Sequence, residues 1–127
     1  DKSCIQKTYE FLKAYMLGFS LEDSIALLRL DDLFVESFLI KDVKTLHGDH
    51  MSRCIARLSG EKGKTKHAIE NATKTRIIIA DTKIHLMGSY TNIRSARDAL
   101  CSLIMGTPPS KVYSQLRFIS KRLNEQF

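Results

Sequence analysis

The stretch RLSGEKGKTKHAIENATKTRIII, residues 57–79, decides how this chain folds. It holds two glycines, Gly60 and Gly63, three positions apart, and it ends on three consecutive isoleucines. Glycine accepts a positive φ and lets another backbone come close, because it has no Cβ. The pair therefore predicts a tight turn, and the many lysines around it indicate that the turn meets an anion.

The residues on both sides of the glycines have helical spacing. We predict a helix at about residues 49–58 and a second at about residues 64–73. The free N–H groups at the start of the second helix would point at the occupant of the turn and favour an anion. The charged residues around the turn are Arg53, Arg57, Lys62, Lys64 and Lys66, with the single acid Glu61. A sugar-phosphate backbone fits this arrangement, with base contacts from an apolar groove beside it.

Three strands are predicted around these two helices. Residues 36–43 are rich in β-branched and aromatic side chains, and residues 75–81 and 83–89 form two further strands joined by a short turn. A helix at residues 92–105, ended by Gly106, follows them. The middle of the chain is therefore predicted to have the order β-α-α-β-β-α.

Helices are also predicted on both flanks, at residues 4–17, 21–30 and 111–126. Ser20 is the predicted amino-terminal cap of the second, and Asp31 and Asp32 are predicted to end it. Pro108 and Pro109 keep the last helix from continuing the one before it. That helix has an apolar stripe, which predicts packing on its own domain, and a cationic outer face suited to phosphates.

Charge is distributed unevenly along the 127 residues. Residues 1–42 carry 5 basic and 8 acidic side chains, a net charge of −3, whereas residues 43–127 carry 15 basic and 6 acidic ones, a net charge of +9. This pattern indicates a polyanion-binding region beside a segment with another role. No apolar run approaches the roughly 20 residues that cross a bilayer, so we predict no membrane association.

A metal site and a catalytic site are the alternatives to a nucleic-acid site. His47, His50 and Cys54 have spacings that could place three zinc ligands on one helical face, but no fourth ligand lies nearby. The glycines are three positions apart, whereas a P-loop needs five. We therefore predict no metal, no cofactor and no enzymatic activity.

A helix–Gly-x-x-Gly–helix unit within β-α-α-β-β-α resembles a type I KH domain, a module that binds RNA or single-stranded DNA. The resemblance implies an α+β fold, a three-stranded antiparallel sheet packed on helices, at residues 34–106, with helical segments at residues 1–33 and 107–127. It places phosphates at Gly60, Lys62, Gly63 and Lys64, with Glu61 and Lys66 beside them, Arg53 and Arg57 as supporting cations, and Ile55, Leu58 and Ile77 along the groove. The chain departs from the KH pattern at Ser59 and Lys66, where such domains place aliphatic residues, and in having the acid Glu61 between the glycines.

The resemblance extends beyond a generic KH domain. LEDSIALLRLDDLFVESFLIKDVKTLHGDHMSR (residues 21–53), GKTKHAIENATKTRIIIADTKIHLMGS (residues 63–89) and GTPPSKVYSQLR (residues 106–117) resemble the partner-of-Nob-one, or Dim-two, family of small-subunit ribosome assembly factors. Members have two KH-like modules, so residues 1–19 would close the first of them.

That family resemblance implies partners and a place in the cell. It implies binding near the 3′ end of small-subunit pre-ribosomal RNA and contact with the Nob-one endonuclease. Other small-subunit ribosomal proteins and assembly factors are further expected partners, in the nucleolus, the nucleus and, with pre-ribosomal particles, the cytoplasm. The acidic residues 1–42 would be available for protein contacts. The alternative is a KH-fold scaffold for proteins with little RNA affinity, which Glu61 and Lys66 favour and the +9 charge of residues 43–127 opposes.

Overall fold

The computed structural model describes residues 2–30 and 32–125. In chain order the elements are α1 (Lys2–Leu17), α2 (Leu21–Arg29), β1 (Phe34–Leu39), α3 (Ile40–Val43), α4 (Asp49–Ser59), α5 (Lys64–Thr73), β2 (Arg76–Ala80), β3 (Lys83–Gly88), α6 (Tyr90–Met105) and α7 (Pro109–Glu125). A single 3-10 turn, Glu61–Gly63, joins α4 to α5. Asp31 and Gln126, the predicted ends of two helices, lie outside the described residues.

The three strands form one antiparallel sheet in the order β1-β3-β2, as predicted. β3 is central, with Ile84 opposite Phe38 of β1 and Leu86 opposite Ile77 of β2. Because successive side chains of a strand point to opposite faces, these four residues all lie on one face. The sheet therefore presents one continuous apolar surface to the helices that cover it.

Helices α3 to α7 cover that face and form the main core. Its fully buried members include Ile69 of α5, Leu100 of α6 and Val112 of α7. Apolar residues recur along α6 at helical spacing, which is why this helix lies against the sheet over its whole length. α7 packs on α5 and α6, so the predicted packing of the last helix on its own domain is confirmed.

The opposite face of the sheet is covered by α1 and α2. Ala14, Phe19 and Leu27 from this helix pair meet Met87 of β3 in a second, smaller cluster, with Ile78 of β2 packed against it. Ser20 caps α2, because its Oγ accepts a hydrogen bond from the Asp23 N–H at 3.1 Å. The predicted capping residue is thus confirmed, and each face of the sheet has its own helical layer.

Some element boundaries differ from the prediction. The first strand was predicted at residues 36–43, but β1 ends at Leu39 and the apolar run continues as α3. The Ile40 N–H still donates to the Thr82 carbonyl at 3.0 Å, one position beyond the Leu39–Lys83 pair, and the chain then turns into α3. α7 begins at Pro109 and not at residue 111, because proline is well tolerated in the first turn of a helix. α6 begins at Tyr90, two residues before its predicted start.

Candidate nucleic-acid interface

Residues 60–63 form an exposed turn between α4 and α5. The Gly60 N–H closes α4 by donating to the Ala56 carbonyl at 2.8 Å, and the Gly63 N–H donates back to the Gly60 carbonyl at 3.2 Å. Three of the four residues have positive φ: Gly60 at 75°, Lys62 at 54° and Gly63 at 74°. The predicted tight turn is therefore present, and it lies at the surface.

Gly60 is required by geometry as well as by its φ. A Cβ at this position would lie 2.7 Å from the backbone nitrogen and 2.8 Å from the Cβ of Thr65. Such distances are far inside van der Waals contact, so any other residue would displace Thr65. Gly63 is less crowded, since a Cβ there would reach His67 Nε2 at 3.4 Å. At Gly63 the left-handed backbone itself favours glycine.

Lys62 adopts a left-handed conformation without being glycine. Left-handed backbone costs a non-glycine residue on the order of 1 kcal/mol and persists where the surrounding structure fixes it. Its side chain is exposed. Sequence reasoning predicted the cation at this position but not the strained backbone that presents it.

The first turn of α5 is open to an anion. Its amino-terminal cap is Gly63, which supplies no side-chain hydrogen bond, and the first turn holds no acidic residue. The Lys64 N–H donates to the Glu61 carbonyl, so the N–H groups left for an anion are those that follow it, beside the exposed cations Lys62 and Lys64. Lys66 is partly buried, and Glu61 is exposed within the turn.

Arg53 and Arg57 are exposed and four residues apart on α4, so they lie on the same face of that helix. Between them, Cys54 is fully buried. Burial raises the pKa of the Cys54 thiol, and the nearby Arg57 guanidinium opposes that rise. The thiol therefore stays protonated and behaves as a small core residue.

The alternative zinc ligands are not brought together. His47 precedes α4, which begins at Asp49, and Cys54 points into the core. Within residues 2–30 and 32–125, no group of three or more histidine, cysteine or acidic side chains is arranged to hold a metal ion. Nor does any helix in that part of the chain combine the length and apolar character that crossing a membrane demands.

The three predicted groove residues differ in exposure. Leu58 is 0% and Ile77 1% exposed, so both side chains belong to the core beneath the surface. Only Ile55 of the three is partly exposed while packing on that core. Ile79 of β2 has the same partial burial, and the sequence analysis did not select it. Ile77 and Ile79 share a face because side chains alternate along β2. Ile79 is the more exposed of the two because it lies nearer the end of the strand.

Glu70 joins α5 to the free edge of β2. Its carboxylate is 7% exposed, and Oε2 accepts the Ile77 N–H at 2.8 Å. Oε1 lies 3.1 Å from His67 Nδ1, one helical turn nearer to the glycines. Hydrogen bonds to a charged, desolvated group are among the stronger ones in proteins. Glu70 thus fixes the spacing between the helix that begins at the turn and the strand beside it.

This fold and turn define a class of nucleic-acid-binding module. The family described as the eukaryotic type KH-domain (KH-domain type I) matches residues 37–121. The α+β fold predicted from the resemblance is thereby confirmed. A KH domain binds nucleic acid and performs no chemistry, so the match also confirms the prediction that this chain is not an enzyme.

The relatives identify the family more closely. The chain is 61% identical over 127 residues to the pre-rRNA-processing protein PNO1 of Eremothecium gossypii, covering 100% of this chain and 48% of that protein. It is 55% identical over 127 residues to the RNA-binding protein pno1 of Ixodes scapularis, covering 100% of this chain and 54% of that protein. This chain belongs to the PNO1 family, the partner-of-Nob-one or Dim-two family that its sequence resembled, and it spans about half the length of these relatives.

A solved structure shows the same architecture. The crystal structure of Dim2p from Pyrococcus horikoshii superposes with a TM-score of 0.81 at 26% identity, covering 92% of this chain and 67% of that one.

Proposed function

We propose that this chain is an RNA-binding KH module of a pre-rRNA-processing factor for the small ribosomal subunit. The turn at residues 60–63 contacts the sugar-phosphate backbone, with Lys62 and Lys64 supplying charge and α5 its free N–H groups. Arg53 and Arg57 add longer-range attraction along α4, and Ile55 and Ile79 supply apolar contact to bases. Lys66 and Glu61 stand at the edge of this contact and adjust its charge.

The observation that carries the proposal is the strained backbone of the exposed residue Lys62, between the two glycines of the turn. Lys62 is exposed and has a positive φ, and so do Gly60 and Gly63 beside it. Strained backbone that the fold does not need is typical of ligand-binding sites. Two relatives named for pre-rRNA processing and RNA binding, each matched over the full length of this chain, support RNA as the polyanion.

We further propose the RNA region and the partners. The resemblance to the partner-of-Nob-one family implies contact between the full-length protein and the Nob-one endonuclease near the 3′ end of small-subunit pre-ribosomal RNA. Other ribosomal proteins and assembly factors of the small subunit are further proposed partners. The proposed locations are the nucleolus, the nucleus and pre-ribosomal particles of the cytoplasm. We retain the division into residues 1–33, 34–106 and 107–127 as a proposal for the domain organisation.

The test is a salt titration of binding to single-stranded RNA from the 3′ region of small-subunit pre-ribosomal RNA. Each phosphate neutralised on a single strand contributes about −0.7 to the slope of log affinity against log salt concentration. Contacts from Lys62 and Lys64 at the turn therefore predict a slope of about −1.4. Lys62→Asp places a second acid between the glycines and is expected to weaken binding more than about tenfold, a loss of ~1.4 kcal/mol.

Lys13→Asp is the matched control, because it makes the same charge change at an exposed position of α1. It is expected to leave RNA affinity within about twofold of wild type, since it lies in the acidic part of the chain. Equal losses for the two variants would mean that net charge alone, and not the turn, attracts the RNA. An unchanged affinity for Lys62→Asp would refute the proposed contact.

A protein-interaction scaffold is the second candidate, and the outer surface of α1 and α2 favours it. Large apolar side chains there are exposed: Ile5, Tyr9, Leu12, Tyr15, Met16, Leu21, Leu28 and Leu30. Exposed apolar side chains in this number favour a protein-binding surface over an RNA-binding one. A salt titration without slope, together with equal RNA affinities for wild type and Lys62→Asp, would make the scaffold the better description.

A further inference from the structure

We propose that Tyr113 of α7 is a positioning residue for the phosphate-binding turn, acting through Thr65. This inference rests on the proposed function, because it assigns a purpose to α7 in presenting residues 60–63 to RNA. The Tyr113 hydroxyl and Thr65 Oγ1 share a hydrogen bond at 3.1 Å across 48 positions of sequence. Tyr113 need not contact RNA to have this effect.

Thr65 lies directly against the turn. It is the second residue of α5, it is 8% exposed, and its backbone nitrogen and Cβ lie within 2.8 Å of where a Gly60 Cβ would be. The Thr65 side chain therefore sets how closely the end of α4 approaches the start of α5. A shift of Thr65 would change the position of Gly60 and the direction of the α5 N–H groups.

Tyr113 is held in place by the core. Its helical neighbours Val112 and Leu116 are 1% and 3% exposed members of the main cluster, and the Tyr113 ring packs against the same cluster. The hydroxyl is thus fixed to the rigid part of the molecule. The hydrogen bond carries that rigidity to Thr65 and on to the turn.

The turn needs such external support. Lys62 has a φ of 54°, and strained backbone of this kind relaxes unless neighbouring structure holds it. The residues flanking the turn, Ser59 and Lys66, are polar and partly buried, so they contribute little apolar packing to it. Among the described residues, the bond between Tyr113 and Thr65 is the side-chain hydrogen bond that connects the first turn of α5 to another helix.

The experiment compares three variants with the wild-type chain. Tyr113→Phe and Thr65→Val each remove one hydroxyl and preserve the side-chain shape, and the double variant removes both. The matched control is Tyr90→Phe, which removes a hydroxyl that is exposed on the first turn of α6. Two quantities are measured: amide hydrogen exchange of residues 60–65 without RNA, and affinity for the single-stranded RNA used above.

Each single variant is expected to speed exchange of the turn amides and to weaken RNA binding about fivefold, the factor for one net hydrogen bond. The double variant is expected to be no worse than either single one, because both remove the same interaction. Tyr90→Phe should change neither quantity. A purely structural role for Tyr113 would instead raise exchange throughout α7 and lower the melting temperature, leaving the turn no more affected than its surroundings.

The two proposals fail separately. If Lys62→Asp weakens RNA binding but Tyr113→Phe alters neither turn exchange nor affinity, the positioning role is wrong and the RNA contact stands. If Lys62→Asp leaves RNA affinity unchanged while Tyr113→Phe still speeds amide exchange of the turn selectively, the RNA contact is wrong and α7 nevertheless positions the turn. Additive losses in the double variant would also overturn the proposed bond.

Discussion

The two faces of the sheet carry unequal hydrophobic clusters. Among the described residues, the main cluster between the sheet and helices α3 to α7 buries sixteen apolar residues. The cluster between the sheet and α1 and α2 buries four. The thicker layer also holds the glycine turn and most of the positive charge. The thinner layer is nearly neutral, with 4 basic and 3 acidic side chains in α1 and α2, and it leaves large apolar side chains exposed. One sheet thus separates a well-packed, cationic half from a thinner half that is nearly neutral and exposes apolar side chains.

This asymmetry has a physical consequence for where rigidity lies. Burial of apolar area is the dominant stabilising contribution to folding, so the thicker layer carries most of the stability. A phosphate-binding turn whose backbone is strained needs that rigid support. A surface for another macromolecule does not, and the thinner layer can lose packing without disturbing the turn.

The largest expected effect compares one leucine from each layer. Leu100 of α6 and Leu27 of α2 are 0% and 2% exposed. Leu100→Ala leaves a cavity inside a densely packed cluster and is expected to cost about 4–5 kcal/mol, the upper part of the range for such changes. Leu27→Ala is expected to cost about 2–3 kcal/mol, because a thin layer can collapse into the space. Unfolding in urea gives both free energies.

The same pair tests whether the two layers act separately. Leu27→Ala is expected to leave RNA affinity unchanged, measured at a temperature where the variant is folded. Equal free-energy losses for the two variants would contradict the unequal layers. A loss of RNA affinity in Leu27→Ala would show that the thinner layer supports the turn after all.

A smaller effect is expected at two glycines, again one from each layer. Gly60 and Gly18 both have positive φ, but a Cβ at Gly60 would overlap Thr65, whereas at Gly18 it would meet Ile78 Cγ2 at an ordinary 3.6 Å. Gly60→Ala is expected to cost about 2–3 kcal/mol from strain and overlap together. Gly18→Ala is expected to cost about 1 kcal/mol from strain alone. Thermal unfolding would contradict the overlap if Gly18→Ala were the more destabilised variant.

The sequence predicted the helices around the turn well for an identifiable reason. α4 ends and α5 begins next to a glycine of the turn. The predicted bounds of both helices agree with the structure within one residue. The first strand was less well predicted, because an unbroken apolar run does not show where a strand becomes α3. Local pattern fixes an element's type more firmly than its end.

The site was predictable where it depends on local sequence and not where it depends on packing. The glycines and lysines of the turn are adjacent in the chain, so the sequence alone shows that they are grouped. Leu58 and Ile77 were placed along the groove because spacing alone cannot separate a surface residue from a core residue on the same face. The contacts of Glu70 with the Ile77 N–H and of Thr65 with Tyr113 were missed, since a hydrogen bond between distant elements leaves no periodic signal.

The smallest expected effect is a pH dependence confined to the thinner layer. His85 of β3 is 6% exposed, and its Nδ1 lies 2.6 Å from Ser37 Oγ on the sheet face that α1 and α2 cover. Burial, and secondarily the Lys83 ammonium, hold the pKa of His85 below its ordinary value. The unfolded chain therefore binds a proton more readily than the folded one, so stability is complete above about pH 6.5 and declines as the pH falls below it.

His85→Gln removes this titration while keeping a polar partner for Ser37. The free energy of unfolding of the wild-type chain is expected to fall more steeply between about pH 7 and pH 5 than that of the variant. The exposed histidines His47, His50 and His67 are present in both proteins, so their contribution to the pH dependence of stability cancels when the two slopes are compared. Parallel slopes would mean that protonated His85 is accommodated without cost, and the thin layer would then be more open to water than its packing indicates. A steeper slope accompanied by unchanged amide exchange in residues 60–65 would instead confine the effect to the face that α1 and α2 cover, since the turn belongs to the other layer.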